Sequence, residues 1–158
     1  KRVTSCVQQL LAASHVRGKR LHVFCVGTGE LVRTIGPEVE GLGQLLRPTG
    51  LAWNGRGELL LSDYDAHRIH VFARDGAFLR SIGRTGSGEG ELLGPGHLAV
   101  GPQGQIVVAD HANQRFQVLR QDGSFVRAFG RGKEFGRPAG LAVGPDGSVV
   151  VADYGGAR

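Results

Sequence analysis

Long apolar runs are absent from this 158-residue chain, and its first residues lack the segments of a signal peptide. A bilayer-spanning helix needs roughly 20 consecutive apolar residues, and a signal peptide needs a basic start, an apolar stretch and a small-residue cleavage site. Both absences predict a soluble, cytoplasmic protein that does not bind membranes. The apolar content of 41% is still sufficient for a hydrophobic core.

Cysteine is scarce too, since Cys6 and Cys25 are the two in the sequence. Neither belongs to a Cys-x-x-Cys pair or lies near histidines at zinc-ligand spacing. We therefore expect reduced, half-buried thiols, which favours an intracellular compartment, and we expect no metal and no cofactor. The glycines between Gly86 and Gly90 do not predict a phosphate-binding loop, because no Lys-Ser or Lys-Thr pair follows them.

Lysine is nearly missing, because 16 of the 19 basic residues are arginines. With 14 acidic residues the chain carries a net charge of +5. A basic surface favours an anionic partner, and the guanidinium group suits phosphate binding and base stacking better than an ammonium group does. The alternative is that arginines at recurring positions serve the fold.

Glycine is abundant, at 27 residues, and the chain contains an internal repeat. Each of the last three copies begins with a proline, has an aspartate 15 residues later and an arginine five residues after that. The period is 47 residues between the second and third copies and 43 between the third and fourth. Such a period predicts a repeat architecture in which each unit covers its apolar faces with its neighbours. The prolines are Pro48, Pro95 and Pro138.

Four short strands separated by glycine-bearing turns can be predicted in each complete copy. The second strands are predicted at Glu58 to Ser62 and Gln105 to Ala109, and the fourth strands at Phe78 to Ile82 and Phe125 to Phe129. The chain then forms a single all-β domain of about three and a half blades of a β-propeller. Its units are a degenerate blade at 1–45, complete blades at 46–92 and 93–135, and a half blade at 136–158. Arg33, Arg80 and Arg127 recur on the fourth strand, where we expect a solvated outer edge.

The segment from Leu98 to Leu119 resembles the NHL repeat, with its apolar strand, glycine turn, Val-x-Asp end and Asn-x-Arg start. Gly41 to Leu45 and Gly88 to Leu92 resemble the Gly-x-Gly-Gln-Phe stretch of the same family. The resemblance implies a ring that commonly has six blades, of which this chain would be a part. Open blade edges would then promote self-association.

The family architecture implies that the aspartate-to-arginine loops and the long glycine-rich loops share one basic face. NHL domains of tripartite-motif ubiquitin ligases and their relatives bind protein or RNA there. The resemblance thus implies a non-catalytic module that binds a protein partner or single-stranded RNA, or the substrate-recognition part of a larger ubiquitin ligase. The candidate binding residues are Arg47, Tyr64, His67, Arg84, His111, Asn113, Arg131, Lys133, Arg137 and Tyr154.

The recurring acid and base are interpreted as structural pairs that brace each blade, because a functional site seldom repeats in every unit. These pairs are Asp63 with Arg68, Asp110 with Arg115, and Asp153 with Arg158. A less favoured alternative is a fragment of a metal-dependent propeller lyase or lactonase, whose ligands lie at the inner strands. His97 is the one residue at those positions that could bind a metal, and a single histidine does not make a site.

Overall fold

The computed structural model of the protein describes residues 10–130 and 138–153. Within them, four antiparallel sheets follow one another along the chain as blades 1 to 4, with three, four, four and two strands. The strands, in chain order, are β1 (Leu10–His15), β2 (Arg20–Cys25), β3 (Leu31–Ile35), β4 (Glu38–Val39), β5 (Gly43–Gln44), β6 (Pro48–Trp53), β7 (Leu59–Asp63), β8 (Arg68–Phe72), β9 (Phe78–Ile82), β10 (Arg84–Thr85), β11 (Glu91–Leu92), β12 (Pro95–Val100), β13 (Ile106–Asp110), β14 (Arg115–Leu119), β15 (Phe125–Phe129), β16 (Pro138–Val143) and β17 (Val149–Asp153).

Blade 1 contains β1 to β3, blade 2 β6 to β9, blade 3 β12 to β15, and blade 4 β16 and β17. The small pairs β4–β5 and β10–β11 lie in the long connections between blades. A single 3-10 turn, His111–Asn113, joins β13 to β14. In the described part of the chain no helix is long and apolar enough to cross a membrane. The predicted all-β, partial-propeller class is confirmed.

The central strands are buried on both sides because their alternating side chains pack against different neighbours. All five residues of β7 are buried. Leu59 and Leu61 join the core between blades 1 and 2, whereas Leu60 joins the core between blades 2 and 3. Successive side chains of a strand point to opposite faces. The apolar run of β7 therefore fills two interblade cores at once.

Antiparallel order places the connections within a blade alternately at its two ends. We call one end the turn face, formed by the hairpin turns at 54–58, 73–77, 101–105 and 120–124. The other end is the loop face, formed by the connections at 64–67 and 111–114 and by the long interblade loops at 36–47 and 83–94. All described candidate binding residues from the sequence lie on the loop face.

Arginines of the fourth strand connect one blade to the next. Arg33 of blade 1 donates to the carbonyl oxygen of Asp75 in blade 2. Arg80 of blade 2 binds both carboxylate oxygens of Glu58 at 3.1 Å and reaches the carbonyl oxygen of Gln121 in blade 3 at 3.5 Å. The expectation of a solvated outer edge is therefore wrong for these two residues, because interblade acceptors lie within their reach.

Cys25 ends β2 and is buried. It is disulfide-bonded, and no free cysteine occurs among the described residues. The expectation of reduced thiols is therefore wrong for Cys25. The sequence did not indicate this because the irregular spacing of the cysteines matched no disulfide framework.

His70 makes the stability of blade 2 depend on pH. Burial lowers the pKa of this histidine, the nearby Asp63 carboxylate partly raises it, and Arg68 lowers it further. Its Nδ1 lies 2.8 Å from Ser81 Oγ, and its Nε2 lies 3.8 Å from Asp63 Oδ2. The depressed pKa means that His70 is neutral in the fold, so the Asp63 contact is not an ion pair at neutral pH.

We expect the urea midpoint of the protein to fall as the pH drops from about 7.5 to about 5, through the ordinary histidine pKa of about 6.5. The unfolded chain binds a proton at this histidine more readily than the folded protein does. The contribution of neutral His70 to the free energy of unfolding is therefore present above this pH and is lost below it. In His70→Asn the fall should be smaller by the part that His70 contributes. Equal slopes for the two proteins would contradict this role for His70.

Candidate binding site on the loop face

The recurring aspartates hold the long interblade loops against the ends of the second strands. In blade 2, Asp63 accepts hydrogen bonds from the backbone N–H groups of Leu46 and Arg47, at 2.8 and 2.7 Å. The predicted pair of Asp63 with Arg68 is not formed, since Arg68 is exposed and no ion pair joins the two among the described residues. The carboxylate is instead buried against backbone donors, which fixes the position of Arg47.

In blade 3 the corresponding aspartate belongs to a larger network. Asp110 is fully buried and accepts from Leu93 N at 2.8 Å, from Arg115 Nε at 2.8 Å and from Gln117 Nε2 at 2.9 Å. Arg115 also donates to the carbonyl oxygens of Gly88 and Glu91. The sequence-derived pair of Asp110 with Arg115 is thus present in the structure, with most of its hydrogen-bonding capacity satisfied.

Asn113 belongs to the same network. Its Nδ2 lies within 3.0 Å of both Asp110 carboxylate oxygens and donates to the carbonyl oxygen of Gly86 at 2.9 Å. Because the amide donors are engaged inside the protein, the expected role of Asn113 as a partner contact is not supported. Asn113 fixes the long loop to the 3-10 turn instead.

Five side chains converge where blades 2 and 3 meet. We call them the junction site, and they are Arg47, Tyr64, Asp65, His67 and His111. The Arg47 guanidinium lies over the ring of Tyr64, 4.5 Å from its centroid, and Arg47 Nη1 lies 3.9 Å from Asp65 Oδ1. The Tyr64 hydroxyl lies 3.2 Å from Nδ1 of His111. About half of the Arg47 side chain remains exposed, at 49%. The fifth member is His67.

His67 and Gly94 form the floor of the junction site. Nδ1 of His67 accepts from the N–H of Gly94 at 3.0 Å, so the proton of the neutral ring lies on Nε2. Gly94 has φ +59°, and a Cβ there would lie 2.7 Å from Tyr64 Cζ. The Tyr64 ring therefore rests closely on the Gly94 backbone. The sequence pattern did not indicate Gly94 as a member of the site, although this glycine lies directly before the repeat proline Pro95.

Arg84 lies in the neighbouring loop and is the most exposed of these arginines, at 77%. Its Nε donates to Glu91 Oε1 at 2.9 Å. A hydrogen bond from the Gly88 backbone, followed by the one from Arg84, lowers the pKa of Glu91. This exposed pair is separate from the junction site. Five further candidate residues lie outside the described residues, namely Arg131, Lys133, Arg137, Tyr154 and Arg158, and so does the predicted pair of Arg158 with Asp153.

His97 lies on the inner strand β12 with an exposed side chain. Within residues 10–130 and 138–153 no group of three His, Cys, Asp or Glu side chains is arranged to hold a metal ion. The inner-strand position that could serve a metal site in other propellers is thus represented by His97 alone in the described part of the chain.

Solved structures with a similar fold include propeller enzymes. The chain matches a streptogramin B lyase at 12% identity and a TM-score of 0.68, covering 91% of this chain and 44% of that one. It matches virginiamycin B lyase from Staphylococcus aureus at 12% identity and a TM-score of 0.70, covering 92% and 46%. A gluconolactonase from Xanthomonas campestris matches at 24% identity and a TM-score of 0.56, covering 67% and 34%. The chain spans less than half the length of these proteins.

At such identities the structural matches show the fold alone. Comparison with curated protein sequences gave no match. The family model of the NHL repeat matches residues 92–119 and 135–158. The first of these segments contains β12, β13 and β14, which carry the apolar strand, the glycine turn and the aspartate-to-arginine connection. The chain therefore contains NHL repeats at residues 92–119 and 135–158, and its blades form a segment of a β-propeller.

Proposed function

We propose that this NHL segment is a non-catalytic binding module whose junction site contacts an acidic segment of a protein partner. The observation that supports this is the half-exposed Arg47 guanidinium, stacked on Tyr64 at 4.5 Å and fixed by the Asp63 carboxylate through its own backbone. A guanidinium held in one orientation loses little conformational entropy when it binds a carboxylate.

The surroundings of Arg47 suit such a partner. His67 and His111 use Nδ1 inside the site, toward Gly94 and Tyr64. Because Nδ1 of His67 accepts from Gly94, the N–H of its neutral ring lies at Nε2, which is a donor for a partner carboxylate. With a net charge of +5 the whole chain also attracts acidic partners at long range.

The test is selection of a random peptide library on the intact chain and on an Arg47→Ala, His111→Ala variant. We expect enrichment of Asp- and Glu-containing peptides, with affinity reduced about tenfold in the variant. Arg84→Ala is the matched control, because it removes an exposed arginine of the same face outside the junction site. Equal enrichment by the intact chain and the double variant would rule out the junction site as the contact.

Single-stranded RNA is the second candidate, favoured by the same stacked pair of Arg47 and Tyr64. Bases stack on guanidinium planes and aromatic rings, while phosphates bind arginine. If RNA is the ligand, a random RNA pool should bind at low salt, and Arg47→Ala should weaken binding about tenfold and reduce the salt slope by about one. Undetectable RNA binding at low salt would leave the protein partner.

We further propose that the complete protein uses this module for recognition, as in a ubiquitin ligase that reads its substrate through a propeller. Catalysis of the lyase or lactonase kind remains the less favoured alternative, and the similar structures with those names support the fold rather than the activity. The disulfide at Cys25 favours an oxidising compartment over the cytoplasm as the location, which makes the ubiquitin-ligase role less favoured than a binding module of another kind.

Self-association of the 158-residue chain is also proposed. Large apolar side chains are exposed on the first and last described blades, with Leu11 at 57% and Val150 at 66%. We expect the chain to sediment as concentration-dependent oligomers, and Leu11→Ser with Val150→Ser to shift it toward the monomer, since exposed apolar strands associate. A monomer at all concentrations with sharp thermal unfolding would contradict this.

A further inference from the structure

A pocket of about 440 Å³ opens on the turn face, at the end of blades 2 and 3 opposite the junction site. Three of its five lining residues are arginines, two from blade 2 and one from blade 3. Arg56 belongs to the turn before β7, Arg80 to β9, and Arg120 to the turn before β15. The remaining lining residues are Gln121 and Asp122.

The walls of this turn-face pocket are held by hydrogen bonds within the protein. Gln121 receives a hydrogen bond from Asn54 Nδ2 at 2.9 Å and donates to the carbonyl oxygen of Gly104. Arg120 Nη1 donates to Ser124 Oγ at 3.2 Å. Asp122 accepts from the backbone N–H and the hydroxyl of the same Ser124, at 2.9 and 2.7 Å. The pocket is therefore preorganised, although its mouth is open to solvent.

The charges in and around the pocket leave an excess of positive charge. Glu58 forms a two-pronged ion pair with Arg80 at 3.1 Å, so these two groups neutralise each other. Asp122 offsets one further positive charge but has turned its Oδ1 toward Ser124. Arg56 and Arg120 are both exposed, and no ion pair to an acidic group is formed by either among the described residues.

The repeat separates the structural members of the pocket from the others. Arg80 and Asp122 have counterparts one blade earlier, namely Arg33 and Asp75, so Arg80 serves the blade junction and Asp122 serves the hairpin turn. The position of Arg56 is occupied by glutamine in the next blade, and that of Arg120 by Ala73 in the preceding one. Arg56 and Arg120 are thus specific to this junction and are not required by the fold.

We propose that the turn-face pocket binds a phosphate monoester through Arg56 and Arg120, with Arg80 as a third donor group. Guanidinium groups match phosphate oxygens in paired hydrogen bonds, which are roughly twice as strong as neutral ones. A phosphate monoester offers three strong acceptor oxygens, so it can accept hydrogen bonds from Arg56 and Arg120 together, whereas a single carboxylate offers two. The open mouth admits either free phosphate or a phosphorylated side chain of a partner.

The experiment follows the arginine Nε–H signals of the isotope-labelled chain in two-dimensional NMR spectra. Inorganic phosphate is added at constant ionic strength, with chloride as the balancing anion. We expect saturable shifts of the Arg56 and Arg120 signals with a dissociation constant of about 1 mM. The double variant Arg56→Gln, Arg120→Gln should bind at least about tenfold more weakly. Arg84→Gln on the loop face should bind like the unchanged protein.

A second arm compares a phosphoserine peptide with its unphosphorylated form. Tighter binding of the phosphoserine peptide than of inorganic phosphate identifies a partner side chain as the source of the group, and equal binding identifies free phosphate. Shifts that do not saturate by about 20 mM phosphate, or that persist in the double variant, would overturn the proposal. Arg47→Ala should leave phosphate binding unchanged, so failure at the junction site and failure at this pocket are distinguishable.

Discussion

Asp110→Ala is expected to lower the free energy of unfolding by about 3–5 kcal/mol, since breaking a buried ion pair leaves the partner charge uncompensated. Arg115 is buried, at 7% exposure, and would lose its carboxylate partner. The N–H of Leu93 and the amide of Gln117 would lose an acceptor at the same time. Loss of the carboxylate should also release the long loop that precedes β12.

Urea denaturation followed by fluorescence or circular dichroism measures this effect. Asp122→Ala is the matched control, because Asp122 is exposed in a hairpin turn and its carboxylate hydrogen-bonds Ser124 in that turn. Its removal should change the unfolding midpoint little. A result for Asp110→Ala within about 1 kcal/mol of the unchanged protein would show that the buried network contributes little to stability.

Gly50→Ala is expected to destabilise the protein by about 3 kcal/mol, at the upper end of the range for overpacking. A Cβ at this position would lie 2.7 Å from the carbonyl oxygen of Gly96, 2.7 Å from Ser62 Oγ and 2.8 Å from the Cα of His97. Two of these three atoms are backbone atoms of the next blade, so the added methyl group cannot be accommodated by a change of rotamer. The inner strands β6 and β12 would have to separate.

The repeat supplies a matched control at the equivalent position of blade 3. Among the residues that the structure describes, the nearest atoms to a Cβ on Gly96 are two of Ala109, at 3.8 and 3.9 Å, which is ordinary van der Waals contact. Gly96→Ala should therefore cost less than about 1 kcal/mol or be neutral. Thermal unfolding of both variants tests the difference, and equal melting temperatures would mean that β6 and β12 do not approach as closely as described.

Much of the fold could be predicted because the repeat carries its own local signals. The fourth strands of both complete blades, Phe78–Ile82 and Phe125–Phe129, begin and end where the sequence predicts, directly after an Asp-Gly turn. The second strands, Leu59–Asp63 and Ile106–Asp110, begin and end one residue later than predicted. The reason is that Asp63 and Asp110 remain paired with the first residues of the following strands.

The partners of the recurring aspartates could not be predicted from the repeat. Asp63 and Asp110 occupy equivalent positions, yet only Asp110 forms the ion pair with the arginine five residues later. The difference arises one strand away, where blade 3 has Gln117 as a donor and blade 2 has His70. These contacts join side chains on neighbouring strands, and the repeat pattern does not specify their geometry.

The junction site was predictable in part. The exposed polar and aromatic residues after the second strands indicated Tyr64 and His111, and the long loop indicated Arg47. The sequence did not indicate that Arg47 stacks on Tyr64, or that Asn113 is engaged within the protein. Both outcomes depend on how the loop of one blade crosses the end of another, which is a tertiary contact.

The arginines of the fourth strands have a consequence for how this chain can change. Arg33 and Arg80 both reach main-chain carbonyl groups in the hairpin of the following blade. A main-chain acceptor is present whatever side chain the hairpin residue carries. The turns can therefore accumulate substitutions without breaking the junction, and Arg127 offers the same donor group on the flank of blade 3. New surface chemistry, such as Arg56 and Arg120, can then arise at the blade ends while the order of the blades is preserved.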